Sequence, residues 1–170
     1  AAGGYQVVMF LSREDLHYDL VSVRHILVRP TADDSGEITD AAWDAARASA
    51  EEILNEYRAG EATEAAFAAL GEAKTSDNVS TSLYSDVHKG QMVAPFDAWC
   101  FEGHQPGDTG LVKTAYGYHV LYFVGEGEEY WTQTLSNEIK SEEFSAWQAE
   151  KLELYPMTTN ASALRLGRHS

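Results

Sequence analysis

The chain has 170 residues, 44% of them hydrophobic, and a formal net charge of −15 from 12 Lys and Arg against 27 Asp and Glu. That length suits one domain with sizeable flanks, and the apolar content argues against intrinsic disorder. The acidity argues against nucleic acid and anionic membrane surfaces as partners, because both bind through Lys and Arg, and the lone Cys100 excludes an internal disulfide or a Cys-rich metal site.

In chain order, residues 5–11 (Tyr-Gln-Val-Val-Met-Phe-Leu) are a β-rich run of strand length. A second strand is expected over 21–28, ended by Arg29-Pro30, and the acidic stretch after it, with Asp33, Asp34 and Glu37, reads as a loop. From 39 to 59 the apolar residues Trp43, Ala46, Ala50, Ile53, Leu54 and Tyr57 fall three or four apart, the period of a helix. Thr39 or Asp40 can cap its start and Gly60 can end it. A shorter helix follows at about 63–73, with Phe67 and Leu70 on its buried side, and residues 74–89 read as polar and irregular. A short helix is expected around 93–101, where Pro95 fits only the first turn. Strands at 111–114 and 118–124 are joined by Ala115-Tyr116-Gly117, so closely that they read as a hairpin. The Glu-rich stretch 126–129 reads as a solvated turn ahead of a long amphipathic helix over 129–154, which carries Trp131, Leu135, Ile139, Phe144 and Trp147. The tail from 156 to 170 has no period. Residues 4–11 and 117–124 echo each other at Gly, Tyr, Val and Phe. Two amphipathic strands drifting to similar sequences account for this; the alternative is that 1–12 end a truncated or degenerate preceding unit.

No run of 18 apolar residues occurs, so no membrane-inserting segment is expected, and the N-terminus shows no charged-then-apolar leader. If the protein is exported, its leader has been removed or lies outside this chain. Cys100, between Trp99 and Phe101, reads as a small buried hydrophobe. His17, His88, His104 and His169 show no metal-ligand spacing, and His88, next to Lys89-Gly90, reads as solvent-exposed or at the rim of a site.

Three segments carry more chemistry. They are Val23-Arg24-His25-Ile26-Leu27-Val28, Gly90-Gln91-Met92-Val93-Ala94-Pro95-Phe96, and Tyr116-Gly117-Tyr118-His119. Met92 and Phe96, four apart, would share one face of the short helix, which alone is ordinary core packing. In order and spacing, however, the three segments resemble the parvulin family of peptidyl-prolyl isomerases, and the resemblance runs over about 22–125. It implies an α+β fold, a four-stranded antiparallel sheet flanked by helices, here with an extra N-terminal strand and a long C-terminal helix. The implied organisation is an N-terminal flanking strand and linker (1–21), the isomerase domain (22–125), and a C-terminal helix and tail (126–170) that would form part of a chaperone lobe.

The resemblance also implies roles. Met92 and Phe96 would form an apolar pocket for the proline ring, with Gln91 and Tyr116 as further substrate contacts and Leu83 or Tyr84 as wall. His25 and His119, on adjacent strands, would share a hydrogen-bonded network that Thr114 joins. Two departures stand out. Asn78 occupies the position where the family has a Cys or Asp, unless the loop slips and Asp77 takes its place. Thr81-Ser82-Leu83-Tyr84-Ser85 replaces a glycine-rich stretch. Asn accepts a hydrogen bond but brings no negative charge, and lost glycines restrict the backbone near the site.

Rotation about an X-Pro bond breaks no bond, so the reaction calls for no metal and no cofactor. It needs an apolar site that favours the twisted amide over the planar forms. Phosphate-directed members use basic residues in the loop after the first strand, whereas this loop is acidic and would repel a phosphate. The expected function is therefore a phospho-independent peptidyl-prolyl cis–trans isomerase that assists folding of exported proteins. Its partners would be unfolded or nascent polypeptides with X-Pro bonds, and its location extracytoplasmic. The alternative is a catalytically weak parvulin-fold chaperone that holds unfolded polypeptides; a third reading is a partner-docking domain.

Overall fold

Alternation with a period of two along two long strands sets the architecture. The computed structural model describes residues 15–75 and 82–155. In it, strand β1 (Asp19–Val28) leads to helices α1 (Asp40–Ala59) and α2 (Glu64–Lys74), then β2 (Leu83–Val87) and helix α3 (Ala94–Cys100). The hairpin of β3 (Thr109–Thr114) and β4 (Gly117–Glu129) follows, and α4 (Tyr130–Leu154) is last. The sheet has the order β2-β1-β4-β3, with every neighbouring pair antiparallel. This is the expected α+β, parvulin-like arrangement with its long C-terminal helix. The strand expected at 5–11, with its echo of 117–124, lies outside the described residues.

Successive side chains of a strand point to opposite faces, and the two faces bury different clusters. Ile26, Val120 and Tyr122 pack with Ala50, Ile53, Leu54 and Tyr57 of α1 and Phe67 of α2. Val21, Val23, Leu121 and Phe123 pack with Val87 of β2 and with Phe96, Trp99 and Cys100 of α3. The sheet is thus the middle layer between two helical layers. Thr39 and Thr63 cap α1 and α2, their hydroxyls accepting from Ala42 N–H at 3.3 Å and Ala66 N–H at 3.2 Å.

Two expectations need correction. The stretch 74–89, expected to be irregular, contains β2. Only Val87 of its five residues is buried, so no alternation marks the strand, and its pairing slips between Val21 and Val23. Asp86 takes a positive φ of 54° within it, unusual for a residue with a side chain. Residues 126–129, expected to be a solvated turn, continue β4, because β1 pairs along them from Val21↔Glu126 to Asp19↔Glu129. Backbone pairing with a neighbouring strand here outweighs the low strand propensity of the glutamates.

The chain divides into two units, Ala1–Tyr130 and Trp131–Ser170. In the second, α4 leaves Leu135, Ile139, Phe144 and Trp147 exposed, the last two with rings stacked 5.7 Å apart. No helix among the described residues is long and apolar enough to cross a membrane.

Candidate active site

The paired strands β1 and β4 bring the two sequence-predicted histidines together. Leu27 lies opposite His119 and His25 opposite Leu121, so the histidines are two positions out of register and share one face. Their rings lie 5.7 Å apart and nearly parallel, with only 2% of His25 and 6% of His119 exposed. Thr114, buried at the end of β3, stands behind them with its Oγ1 2.9 Å from His119 Nε2. The same oxygen accepts from Tyr116 N–H at 3.1 Å and lies 3.4 Å from the Gly117 carbonyl. A hydroxyl has one proton to give. Directed to Gly117, it leaves His119 donating through Nε2; directed to His119, it fixes the neutral Nδ1–H tautomer.

Two aromatic rings complete the floor. Phe96 of α3, 3% exposed, meets His119 edge-on at 5.3 Å and His25 at 6.0 Å. Tyr84 of β2 stacks on His25 at 4.7 Å and meets Phe96 edge-on at 6.2 Å. Above these four rings opens a cleft of about 310 Å³, walled further by Leu27, Arg29, Gln91, Met92, Val93 and Tyr116. Its size is near the lower end of ordinary ligand clefts, roughly 300–1,000 Å³.

Local sequence explains the walls. Gly90 takes φ +81°, a conformation suited to glycine, and its N–H bonds Asp97 Oδ1 at 2.8 Å, tying the Gly-Gln-Met turn to α3. Pro95 sits in the first turn of α3, where it forfeits no helical hydrogen bond. Gly117 takes φ +145°, and a Cβ there would overlap the Val28 carbonyl, so the hairpin that carries Tyr116 and His119 closes against β1 only with glycine.

The sequence-predicted residues do not all sit on the cleft wall. Met92 walls the cleft but precedes α3 rather than sharing a helical face with Phe96. Of the pair Leu83 and Tyr84, Tyr84 lines the cleft and Leu83 does not. Thr114 acts from beneath the cleft, not on its wall. His88 stays off this wall, its ring stacked on Tyr130 at 5.0 Å. Asn78, together with Asp77, lies outside the described residues. Leu27, Arg29 and Val93 were missed. Leu27 follows His25 by two along β1 and Arg29 by four, one residue past the strand's end, so strand alternation was the available signal.

Cys100 is buried against the sheet, which pushes its thiol up to about 12. Loss of solvation for the thiolate is the main cause, with repulsion from Asp97 second. It is a packing residue.

The family model for the rotamase, or PPIC-type PPIase, domain matches residues 25–125, which hold both histidines and the whole cleft wall described above. The chain belongs to this family. A search of curated proteins gives no match. Among solved structures, this PPIC-type chain is similar in fold to the PPIase domain of TBPAR42, at 19% identity and a TM-score of 0.51, covering 62% of this chain and 99% of that one. It is also similar to the peptidyl-prolyl isomerase ESS1 from Candida albicans, at 22% identity, TM-score 0.50, and 63% of each chain. The peptidylprolyl isomerase PrsA from Bacillus anthracis matches at 19% identity and TM-score 0.49, over 85% of this chain and 64% of its own.

Proposed function

We propose that the PPIC-type domain of this chain, residues 22–125, is a working peptidyl-prolyl cis–trans isomerase for general X-Pro segments of unfolded polypeptides. The observation that carries this reading is the cleft itself. It presents a floor of four rings, two of them imidazoles, with Met92 and Val93 at its side. The amide barrier is roughly 18–20 kcal/mol, and each factor of ten in rate needs only about 1.4 kcal/mol. A proline ring seated on Phe96 and Met92 takes the imide out of water. Conjugation is lost in the twisted state, and polar groups fixed at that point favour it over the planar ones. His25 and His119 are the proposed polar groups, held by packing and by Thr114. Asn78 is proposed to join them. The two residues bordering the segment that bears it are both bonded to β1, Thr75 Oγ1 accepting from Leu27 N–H at 3.2 Å and the Ser82 carbonyl from His25 N–H at 2.7 Å.

Phosphate independence is part of the proposal. Beyond Arg29, the loop after β1 carries Asp33, Asp34 and Glu37. Hydrogen bonds from the Ser35 hydroxyl and from the Glu37 and Ser35 amides hold the Asp33 carboxyl below its usual range, so it stays charged. A phosphate would meet net negative charge there. We further propose that the flanks, 1–21 and 126–170, apart from their sheet residues Asp19–Val21 and Glu126–Glu129, belong to a client-holding lobe, and that the clients are exported proteins met outside the cytoplasm. The exposed apolar side chains of α4 favour the holding role.

The test is exchange spectroscopy on an Ala-Pro peptide and on a phospho-Ser-Pro peptide, each with catalytic amounts of the protein. Acceleration of the first and a smaller effect on the second are expected, with Asn78→Asp preserving or raising the rate. No acceleration by either form, alongside retained binding of a denatured protein, would reject turnover and leave the holding role.

A further inference from the structure

Where the chain enters and leaves the sheet, a cluster of aromatic rings grips the turn that carries the proline-pocket residues. Tyr18 precedes β1 and Tyr130 follows β4, so these two residues flank the points where the chain enters and leaves the sheet. They are joined by a Tyr130 N–H to Tyr18 carbonyl bond of 2.9 Å, and their rings stack at 5.3 Å. Three contacts run from this pair to the turn at residues 88–91, and a fourth comes from Phe101 beside it. The Tyr18 hydroxyl accepts from Lys89 N–H at 3.2 Å, and Lys89 Nζ lies 4.4 Å from the centre of the Tyr18 ring. The same ammonium lies 5.7 Å from the centre of the Phe101 ring, which meets Tyr18 edge-on, and the His88 ring stacks on Tyr130. The turn then closes on itself, Gln91 N–H donating to the His88 carbonyl at 3.1 Å and His88 N–H to Gln91 Oε1 at 3.0 Å.

Gly90 is where this grip has most freedom to restrain. Its positive φ allows the turn, but glycine also has the most backbone freedom to lose. Three residues of the cleft wall, Gln91, Met92 and Val93, hang immediately beyond it. The bond from Gly90 N–H holds the turn to Asp97 of α3; the aromatic cluster holds it through Lys89 and His88.

We propose that Tyr18 and Lys89 are positioning residues for the isomerase site, acting through the Gly90 turn to set Met92 and Gln91 against the proline ring. The proposal rests on the cleft being the proline site, but the placement of the turn can be measured without turnover. In the full chain, Tyr18→Phe removes one hydroxyl and keeps the stacking; Lys89→Ala removes the ammonium, and Lys89→Arg restores a cation over the rings. The measurements are the Met92 methyl resonance, amide hydrogen exchange at Gln91 and Met92, the thermal midpoint, and kcat/KM for an Ala-Pro peptide.

In Tyr18→Phe and Lys89→Ala the methyl signal is expected to shift or broaden and the two amides to exchange faster. The value of kcat/KM is expected to fall about five-fold, the effect of one ordinary hydrogen bond, at a thermal midpoint close to that of the unaltered chain. Lys89→Arg should recover most of the loss. If both variants lower the midpoint but leave the methyl signal, the amide exchange and kcat/KM of the folded fraction unchanged, the cluster only stabilises the fold and the proposal is overturned. An unaltered chain without any exchange catalysis defeats the isomerase reading instead, and the methyl and amide measurements then decide the positioning role by themselves.

Discussion

The two faces of the same sheet are built from alternate residues of the same strands, yet one is closed and the other open. Ile26 and Val120 face helices α1 and α2 and are wholly buried among Leu54, Tyr57 and Phe67. Their chain neighbours His25 and His119 turn the other way, onto the floor of a cleft. Both histidines are nearly as inaccessible as the aliphatic residues beside them. Burial therefore does not distinguish site from core in this molecule. What distinguishes them is coverage: two helices close over one face, whereas on the other the short α3 reaches Phe96 and leaves Met92 on a turn.

That contrast predicts opposite responses to truncation. Phe67→Ala on the closed face should cost about 3–5 kcal/mol of stability, as for other buried phenylalanines, in chemical denaturation. The folded fraction should keep its kcat/KM. Met92→Ala on the open face should do the reverse, weakening an Ala-Pro peptide about ten-fold, since burying an apolar side chain of this size is worth about 1.5–3 kcal/mol. Because Met92 is only half-buried, the denaturation midpoint should move little. Equal losses of stability in the two variants would dissolve the distinction between the faces.

Smaller effects sharpen it. Tyr57 is 3% exposed, and its hydroxyl has no hydrogen-bond partner among the described residues. Burial raises the pKa of this phenol above its ordinary value of 10.0. Tyr57→Phe should then be neutral or gain up to about 1 kcal/mol in denaturation, because it removes an unsatisfied polar group. The smallest effect is that of Cys100. Its thiol is protonated in the folded chain up to about pH 12, against an ordinary value of 9.0, so folding binds this proton more tightly than the unfolded chain does. Its contribution is complete below pH 9.0 and is lost as pH rises toward about 12. A thiol reagent at pH 8 should leave the folded protein unlabelled and react only once denaturant is added; ready labelling of the native form would mean Cys100 is not packed against the sheet.

How much of this the sequence disclosed follows from how local each signal is. Helices α1 and α2 were legible because apolar residues recur every three or four positions, and for α1 because Thr39 or Asp40 could cap its start and Gly60 end it. β1 and β4 were legible from their apolar runs. β2 was not, because one buried valine in five residues gives no alternation and its place depends on pairing with β1, distant in the chain. The end of β4 was hidden for the same reason, glutamates being drawn into a strand by a partner. The site's composition was readable from three motifs. Its shape was not: that Tyr84 rather than Leu83 walls the cleft depends on the slipped register of β2, and Met92 leaves the helix because α3 begins only at Ala94. Arg29 and Leu27 were within reach of the alternation that starts at His25.

The most direct test of the whole account is a titration of the isotope-labelled protein with a short Ala-Pro peptide, followed residue by residue. The account predicts that the first resonances to move are those of Met92, Phe96, Tyr84 and His119, that Ile26, Phe67 and Val120 stay fixed, and that the bound peptide exchanges between its cis and trans forms faster than the free one. Shifts centred on the closed face or on α4, with the cleft residues unmoved, would contradict it.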